Sequence, residues 1–418
     1  MPASLQLQRD SEIFLSTKNF SGGDAFTAFT PANTWKIEIL AGFAASQAAG
    51  TQDISSSESG LNPDRSSRRF NINIQPVEWS FQAYLRPTGI EVNGNAASGS
   101  VSGNVKPVAD WYLWQALLSN TNPALAGAEQ SAWQNDGKFD TVQRAASTNV
   151  ATHTSNFGSA QENHLYIKMD NVIYQVANAA VEGADVSGSI DGIAMTSWSG
   201  KGTNLLELTG AYRNAAVSVF GGILNSGVSV TANSNAYALS AASSYHPWAM
   251  ANVNGVMTPS AFIKNRLGTV LMTHTTEAGV SSSYTFPITD MSLSVKNNLT
   301  YLTPEEMSKL NQPIGQFAGA REITGTVSAY LRSDTGGTAQ FLRNIAADTR
   351  PNFSATANAN LRLGGNASPY VAFYFPATQF SIPTTNIEDL ITVSMEFKAQ
   401  EPLATEGDGG EVVIFAKK

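Results

Sequence analysis

The sequence predicts a mainly β fold of the α+β kind, arranged as two tandem repeats with one or two helices in each. Three observations predict it. Apolar and polar residues alternate with period two through most readable segments, a short stretch with helical spacing follows one such segment in each half, and the order of elements in the first half returns in the second.

In chain order, Ile37 and Ile39 alternate with Lys36 and Glu38, which makes a first strand. Ala41 to Arg69 is an Ala/Ser/Gly-rich excursion, long enough to expect a functional loop. Val77, Trp79, Phe81, Ala83 and Leu85 then alternate with Glu78, Ser80, Gln82, Tyr84 and Arg86, a half-buried strand. After a Gly/Ser/Asn-rich insertion from Thr88 to Val105, Tyr112, Leu113 and Ala116 fall at helical spacing, and a late strand is expected around Ser187 to Ile193. In the second half Met291, Leu293 and Val295 alternate with Ser292, Ser294 and Lys296. A second excursion, Thr303 to Ala320, precedes the strand Arg321 to Arg332, in which Ile323, Gly325, Val327, Ala329 and Leu331 share one face. The turn Asp334-Thr335-Gly336-Gly337 leads into a helix with Phe341, Leu342 and Ile345, stopped by Pro351. The strand Ile391 to Phe397 ends the pattern.

Ala83-Tyr84-Leu85-Arg86 repeats as Ala329-Tyr330-Leu331-Arg332. One four-residue match is within chance for a chain this long, so the weight rests on order and phase: Val77 matches Ile323, Phe81 matches Val327, and a helix follows both strands. The expected division is a first domain at 1–201, an Ala/Ser/Asn-rich connector at 202–259, a second domain at 260–402 and a short flexible C-terminal tail at 403–418.

Composition narrows the function. The 418 residues hold no cysteine, which excludes a disulfide framework, a Cys zinc site and a thiol nucleophile. Charged residues are 14%, against roughly a quarter in ordinary soluble domains, so the surface is polar but uncharged, which suits burial against other subunits. A net charge of −8 without a Lys/Arg cluster argues against gripping nucleic acid by its phosphates. Arg9, Asp10 and Glu12 interrupt any apolar signal region, and no run of 18 apolar residues occurs, so neither a cleaved signal nor a membrane-spanning helix is expected.

The search for chemistry ends without a site. His153, His164, His246 and His274 have no partner at metal-ligand spacing. Trp198-Ser199-Gly200-Lys201-Gly202 contains the Gly-Lys of a phosphate loop, but Met195 and Gly202 stand where its first glycine and its Ser/Thr belong, so it reads as a turn after a strand. Gly227-Val228-Ser229-Val230 ends in Thr231 and not in the glycine of a nucleophile elbow. Asp408 and Glu411 lack calcium-loop order, and Glu305-Glu306 and Glu388-Asp389 read as turn chemistry. The chain reads as non-enzymatic, with no cofactor.

Several segments carry a family resemblance: Ser4-Leu5-Gln6-Leu7 with Ile13-Phe14-Leu15-Ser16-Thr17, Glu78-Trp79-Ser80-Phe81, Asp110-Trp111-Tyr112-Leu113-Trp114 and Thr196-Ser197-Trp198-Ser199-Gly200. The second half adds Phe262-Ile263-Lys264-Asn265, Pro287-Ile288-Thr289, Asn297-Asn298-Leu299-Thr300-Tyr301-Leu302-Thr303-Pro304, Pro313-Ile314-Gly315 and Glu396-Phe397-Lys398-Ala399. Collinear from about residue 4 to about residue 400, they resemble the fused two-domain major tail tube protein of long-tailed (siphovirus-type) bacteriophages.

The resemblance implies two tail-tube domains, each a β-sandwich or partial barrel flanked by a helix. It implies homotrimeric rings of pseudo-sixfold symmetry that stack into a hollow tube and conduct double-stranded DNA into the host without binding it tightly. It also implies a place in the virion tail after synthesis in the host cytoplasm, with a tape measure protein, a tail terminator and baseplate or distal tail proteins as partners, and no membrane. Only a short tail follows Pro402, so the decoration domain of some relatives is not expected. Carboxylates on the polar strand faces would repel phosphates in such a lumen, which nominates Glu38, Glu78, Asp191, Glu322 and Glu396. The two long excursions nominate Ser55, Asn62, Glu305, Lys309, Gln312 and Gln316 for ring stacking. Three alternatives stay open: an inner tube of a contractile tail, which a neighbouring sheath gene would mark; a β-barrel porin, which needs a signal peptide and aromatic girdles; and an enzyme or glycan-binding tail component, which needs a catalytic constellation.

Overall fold

The computed structural model describes residues 11–19, 34–40, 42–57, 64–91, 105–108, 110–118, 141–146, 163–169, 172–207, 262–275, 281–307, 311–347, 357–365, 369–381, 384–386, 390–400 and 409–417. The first half contributes β1 (Ser11–Ser16), β2 (Thr34–Ile37), β3 (Ala44–Ser57), β4 (Asp64–Tyr84), β5 (Pro87–Glu91), β6 (Val105–Val108), α1 (Trp111–Leu118), β7 (Thr141–Ala146), β8 (His164–Met169), β9 (Val172–Ala177), β10 (Ala180–Ser189), β11 (Met195–Gly202) and β12 (Asn204–Glu207). The second contributes β13 (Thr269–Thr275), β14 (Ser281–Pro287), β15 (Asp290–Lys296), β16 (Leu299–Leu302), β17 (Gly315–Ala318), β18 (Glu322–Tyr330), α2 (Thr338–Ala346), β19 (Ala357–Leu363), β20 (Tyr370–Phe380), β21 (Thr384–Asn386), β22 (Thr392–Gln400) and β23 (Gly409–Lys417).

The expected alternation builds the central strands. In β18, Ile323, Val327 and Ala329 are buried while Glu322, Thr324, Thr326 and Ser328 are half-buried, and β22 alternates with Val393, Met395 and Phe397 inside. Turns fall where side chains tolerate positive φ: Asn178 (φ 49°) separates β9 from β10, and Asn298 (φ 48°) separates β15 from β16. At the start of α2 the Thr338 hydroxyl donates to the Tyr330 carbonyl at 2.9 Å and accepts from the Arg332 amide at 2.7 Å, so strand end and helix start are stitched together.

Two large antiparallel sheets result. One has the order β12-β9-β8-β1-β2; the other runs β14-β13-β19-β20-β22-β18-β15-β10-β11-β4-β3, with β21, β23 and β7 attached at its side. Strand β10 of the first half pairs with β15 of the second from Gly183↔Lys296 to Ser189↔Asp290, so one sheet runs through both halves. Its apolar face meets the helices. Trp114 of α1 stacks edge-on against Trp198 of β11 with centroids 4.9 Å apart and lies 5.8 Å from Phe373 of β20, and Phe341 of α2 packs among Tyr284, Phe286 and Phe380. Each such fully buried side chain contributes about 1.5–3 kcal/mol.

Four expectations need correction. Much of Ala41 to Arg69 is strand, because β3 and the first part of β4 pair with each other out to Ser57↔Asp64. Trp198 to Gly202 is the end of β11 and not a turn; its glycines make room, since a Cβ on Gly200 would enter the Trp79 ring. The late strand runs from Ala180 to Ser189, and 190–193 turn towards β11. In the expected flexible tail, 409–417 forms β23, which pairs with β20 and β7 and buries Val412 and Ile414. Two apolar residues spaced by two find a face to fill, and glycines nearby did not prevent it. Of the connector at 202–259, 202–207 end β11 and form β12; 208–259 lie outside the described residues, as do Ser4 to Leu7, 92–104 and 401–408.

Candidate functional site

The feature that the strands build together is the polar face of the long sheet. Register aligns its residues in rows. Gln82, Ser197, Asp185, Ser294, Thr324 and Lys398 form one row across six strands, and Tyr84, Met195, Ser187, Ser292, Thr326 and Glu396 form the next. Alternation puts every second side chain of each strand here, so the face is continuous across both halves. Over β10, β15, β18 and β22 it hollows into a groove of about 730 Å³ that includes Asp185, Ser292, Ser294, Thr326, Glu396 and Lys398.

Charge on this face is sparse and partly compensated. Over residues 77–84 of β4 and over β11, β10, β15, β18 and β22, Glu78, Glu182, Asp185, Asp290, Glu322 and Glu396 stand against Lys201, Lys296 and Lys398, and none of these segments holds an arginine. Lys398 Nζ is 3.1 Å from Glu322 Oε1, Lys201 Nζ is 2.6 Å from Glu182 Oε1, and the Ser294 hydroxyl donates to Asp185 Oδ1 at 2.5 Å. The result is a hydroxyl-rich wall with a small negative excess and nothing that forks onto a phosphate.

Three of the five nominated carboxylates, Glu78, Glu322 and Glu396, come together on this face. The structure does not bring Glu38 or Asp191 with them. Glu38 follows β2 and is ion-paired with Arg86, which is buried, and Asp191 lies in the turn after β10, 2.8 Å from Arg266 Nη2. Asp185 and the three lysines were missed; the Asp185, Ser187, Ser189 alternation was the available signal for the first.

The four stacking nominees among the described residues lie towards one end of the strands. The β3–β4 arm and the loop between β16 and β17 touch there, where the Ile74 amide donates to the Asn311 carbonyl at 2.8 Å. Glu305 and Gln312 are exposed on that loop, while Gln316 is half-buried in β17 opposite Tyr301 and Ser55 lies on β3, so these two are strand residues and not loop residues. Asn62 and Lys309 lie outside the described residues.

Beneath the sheet sits a buried ionisable cluster. Asp110, just before α1, accepts from Trp198 Nε1 at 2.9 Å, and burial pushes its carboxyl up to about 6 against the lowering effect of that bond and of Arg86. Burial likewise lowers the Arg86 guanidinium to about 10. Asp110 Oδ1 and Arg86 Nη1 have no hydrogen-bond partner. Among the described residues no three His, Asp or Glu side chains converge closely enough to hold a metal ion, and no helix is long and apolar enough to cross a membrane.

No protein-family model matches the chain. A chain in the cryo-EM structure of the anti-feeding prophage baseplate, 6-fold symmetrised, aligns with 35% of this chain and 95% of its own length at 13% identity, with a TM-score of 0.25, too loose a likeness to carry an argument. Tail tube protein pb6 of Escherichia phage T5 is 26% identical over 417 residues, which cover 99% of this chain and 76% of that protein. Along nearly its whole length, the chain resembles a phage tail tube protein.

Proposed function

We propose that the protein is a major tail tube subunit: three copies close a pseudo-sixfold ring, rings stack into a hollow tube of the virion tail, and double-stranded DNA passes through it into the host. The near full-length similarity to a tail tube protein carries this reading. The strand orders support the duplication behind it. The order β2-β1-β8-β9-β12 of the first half has its counterpart in β14-β13-β19-β20-β23, and β3-β4-β11-β10 in β15-β18-β22-β20, with a helix after β4 and after β18. The β10–β15 junction joins the last strand of one set to the first of the next. Repeating that head-to-tail pairing between chains, from the edges at β3 and β21 that no strand among the described residues covers, would continue the sheet until it closed and removed its edges.

In this arrangement the hydroxyl-rich face lines the lumen, with Glu78, Glu322 and Glu396 repelling phosphates over the ~8 Å screening length at physiological salt. Stacking of rings is open-ended, so a tape measure protein sets the length, and terminator and baseplate proteins close the ends. Negative-stain microscopy of the concentrated protein tests the reading: hollow rings or tubes with threefold features are expected. Discrete monomers under all conditions, with the protein absent from virion tails, would overturn it.

A further inference from the structure

Charges of alternating sign follow one another across neighbouring strands of the hydroxyl-rich face: Glu78 of β4, Lys201 of β11, Glu182 of β10, Lys296 of β15, Glu322 of β18 and Lys398 of β22. Register and contact both join them. Lys201 lies opposite Glu78 and Lys296 opposite Glu322, while Lys201 Nζ is 2.6 Å from Glu182 Oε1 and Lys398 Nζ is 3.1 Å from Glu322 Oε1. Every lysine of these strand segments is in the row. The other carboxylates of the face, Asp185, Asp290 and Glu396, have no ion pair among the described residues.

Two features set the row apart from scattered surface charge. Glu182 reaches the face through a β-bulge: the register shifts between Val181 and Gly183, so Glu182 is an extra residue that turns towards Lys201 and not into the core, where strict alternation would put it. Its carbonyl accepts from the Asn297 amide at 2.8 Å, and Gly183 beside it leaves room for Lys296, whose Cγ would lie 3.4 Å from a Cβ there. The second feature comes from the two halves. With Val77 matched to Ile323, Trp79 matches Gly325, and their partners Gly200 and Phe397 immediately precede Lys201 and Lys398. These two lysines therefore hold the same position in each half, yet the carboxylates that cover them come from opposite sides, Glu182 from the strand beyond β11 and Glu322 from the strand before β22. One matched lysine covered in two different ways points to the covering itself as the shared requirement.

We propose that Glu182 and Glu322 shield Lys201, Lys296 and Lys398 from passing phosphates. A bare ammonium group is a compact charge that takes phosphate and releases the counterions held there, so uncovered lysines on a lumen wall would hold DNA. Neighbouring strands lie ~4.8 Å apart, so opposite charges of the row alternate within the ~8 Å screening length and cancel before their field reaches far from the wall. Carboxylates on this face then divide into two groups. Those of the row neutralise the lysines, and Asp185, Asp290 and Glu396 supply the negative excess. The inference rests on the tube reading for the DNA that passes, and adds to it the residues that keep the wall from holding that DNA.

Dilute, unassembled protein is titrated against a short fluorescent DNA duplex in about 50 mM salt and followed by anisotropy. The unmodified protein is expected to show no saturable binding. Glu182→Gln/Glu322→Gln is expected to bind, with an affinity that falls as salt rises at a log–log slope of up to about −2.7, roughly 0.9 for each uncovered lysine. Adding Lys201→Gln, Lys296→Gln and Lys398→Gln should abolish that binding, which an artefact of misfolding would not. Asp290→Asn/Glu396→Gln removes the same amount of negative charge without uncovering a lysine, and should bind no more than the unmodified protein. Equal binding by that variant would reduce the row to general repulsion and overturn the shield. So would no gain in Glu182→Gln/Glu322→Gln, or a gain that survives loss of the lysines. Failure of the unmodified, concentrated protein to form rings or tubes would instead overturn the tube reading, whatever the titrations give.

Discussion

The indole Nε1 of Trp198 donates to Asp110 Oδ2 at 2.9 Å, tying the start of α1 to the middle of β11 inside the core. Asp110 is fully buried, and its carboxyl is pushed up to about 6 from an ordinary 3.8, chiefly by burial. A carboxyl raised on folding contributes stability that is complete below its unfolded value and lost as pH rises through its folded one. The gap corresponds to roughly 3 kcal/mol, of which about 2 should be regained between pH 7 and pH 4.5. Asp110→Asn keeps an acceptor for Trp198 and cannot titrate. Urea midpoints of the two proteins should therefore diverge in the wild type's favour as pH falls over this window. Parallel curves would show that Asp110 does not carry the effect.

Arg86 and Glu38 form a pair in which the guanidinium is 4% exposed, whereas Arg69–Asp53 and Arg266–Asp191 are more than half exposed on both sides. Removing one member of a buried pair leaves the other charge without its partner, at a cost of about 3–5 kcal/mol, while an exposed pair is screened by solvent and contributes little. Arg86→Ala should lower the denaturation midpoint strongly, and Arg69→Ala and Arg266→Ala should leave it nearly unchanged in the unassembled chain.

The contrast marks what the sequence could and could not reveal. Period-two alternation located β4, β15, β18 and β22, and helical spacing located α1 and α2, because each buries one face along its own length. Pairing between distant strands has no such local mark. Arg86 alternates in step with Glu78 and Ser80, so it reads as polar-face, yet the chain leaves β4 just before it and carries its side chain inward to Glu38. The β3–β4 arm was illegible for a related reason: Ala44 to Ser57 is poor in β-branched and aromatic residues, and only its partner strand makes it extended. Of the candidate site, the carboxylates of three strands could be found from phase. The lysines that offset them belong to neighbouring strands whose register only the fold supplies.

Gly325 of β18 lies directly opposite Phe397 of β22, and a Cβ there would enter the phenyl ring. The ring cannot swing away freely because it packs on Phe375 at 5.1 Å and Phe380 at 5.8 Å. Gly325→Val should cost about 1–3 kcal/mol or more through overpacking. Combining Gly325→Ala with Phe397→Leu should cost less than the sum of the two single changes, since the smaller side chain vacates the space the methyl needs. Strict additivity in thermal melts would argue that the ring does not cover the glycine.

Strand β23 closes the edge of the first part of β20, from Tyr370↔Lys417 to Tyr374↔Val413. Its Val412 and Ile414 are fully buried, and its Glu411 lies 3.1 Å from Arg321, whose side chain is only 8% exposed. Ending the chain after Thr405 removes two core side chains worth about 1.5–3 kcal/mol each, takes away the Glu411 carboxylate that Arg321 pairs with, and opens a ladder of unpaired amides and carbonyls beside Val371 and Phe373. The truncated protein should therefore lose soluble yield and melt well below the full chain, and Ile414→Ala alone should cost about 2–5 kcal/mol. A truncated chain that melts like the full one would mean that 409–417 contributes nothing to the core; a fall confined to solubility would locate its role at the strand edge.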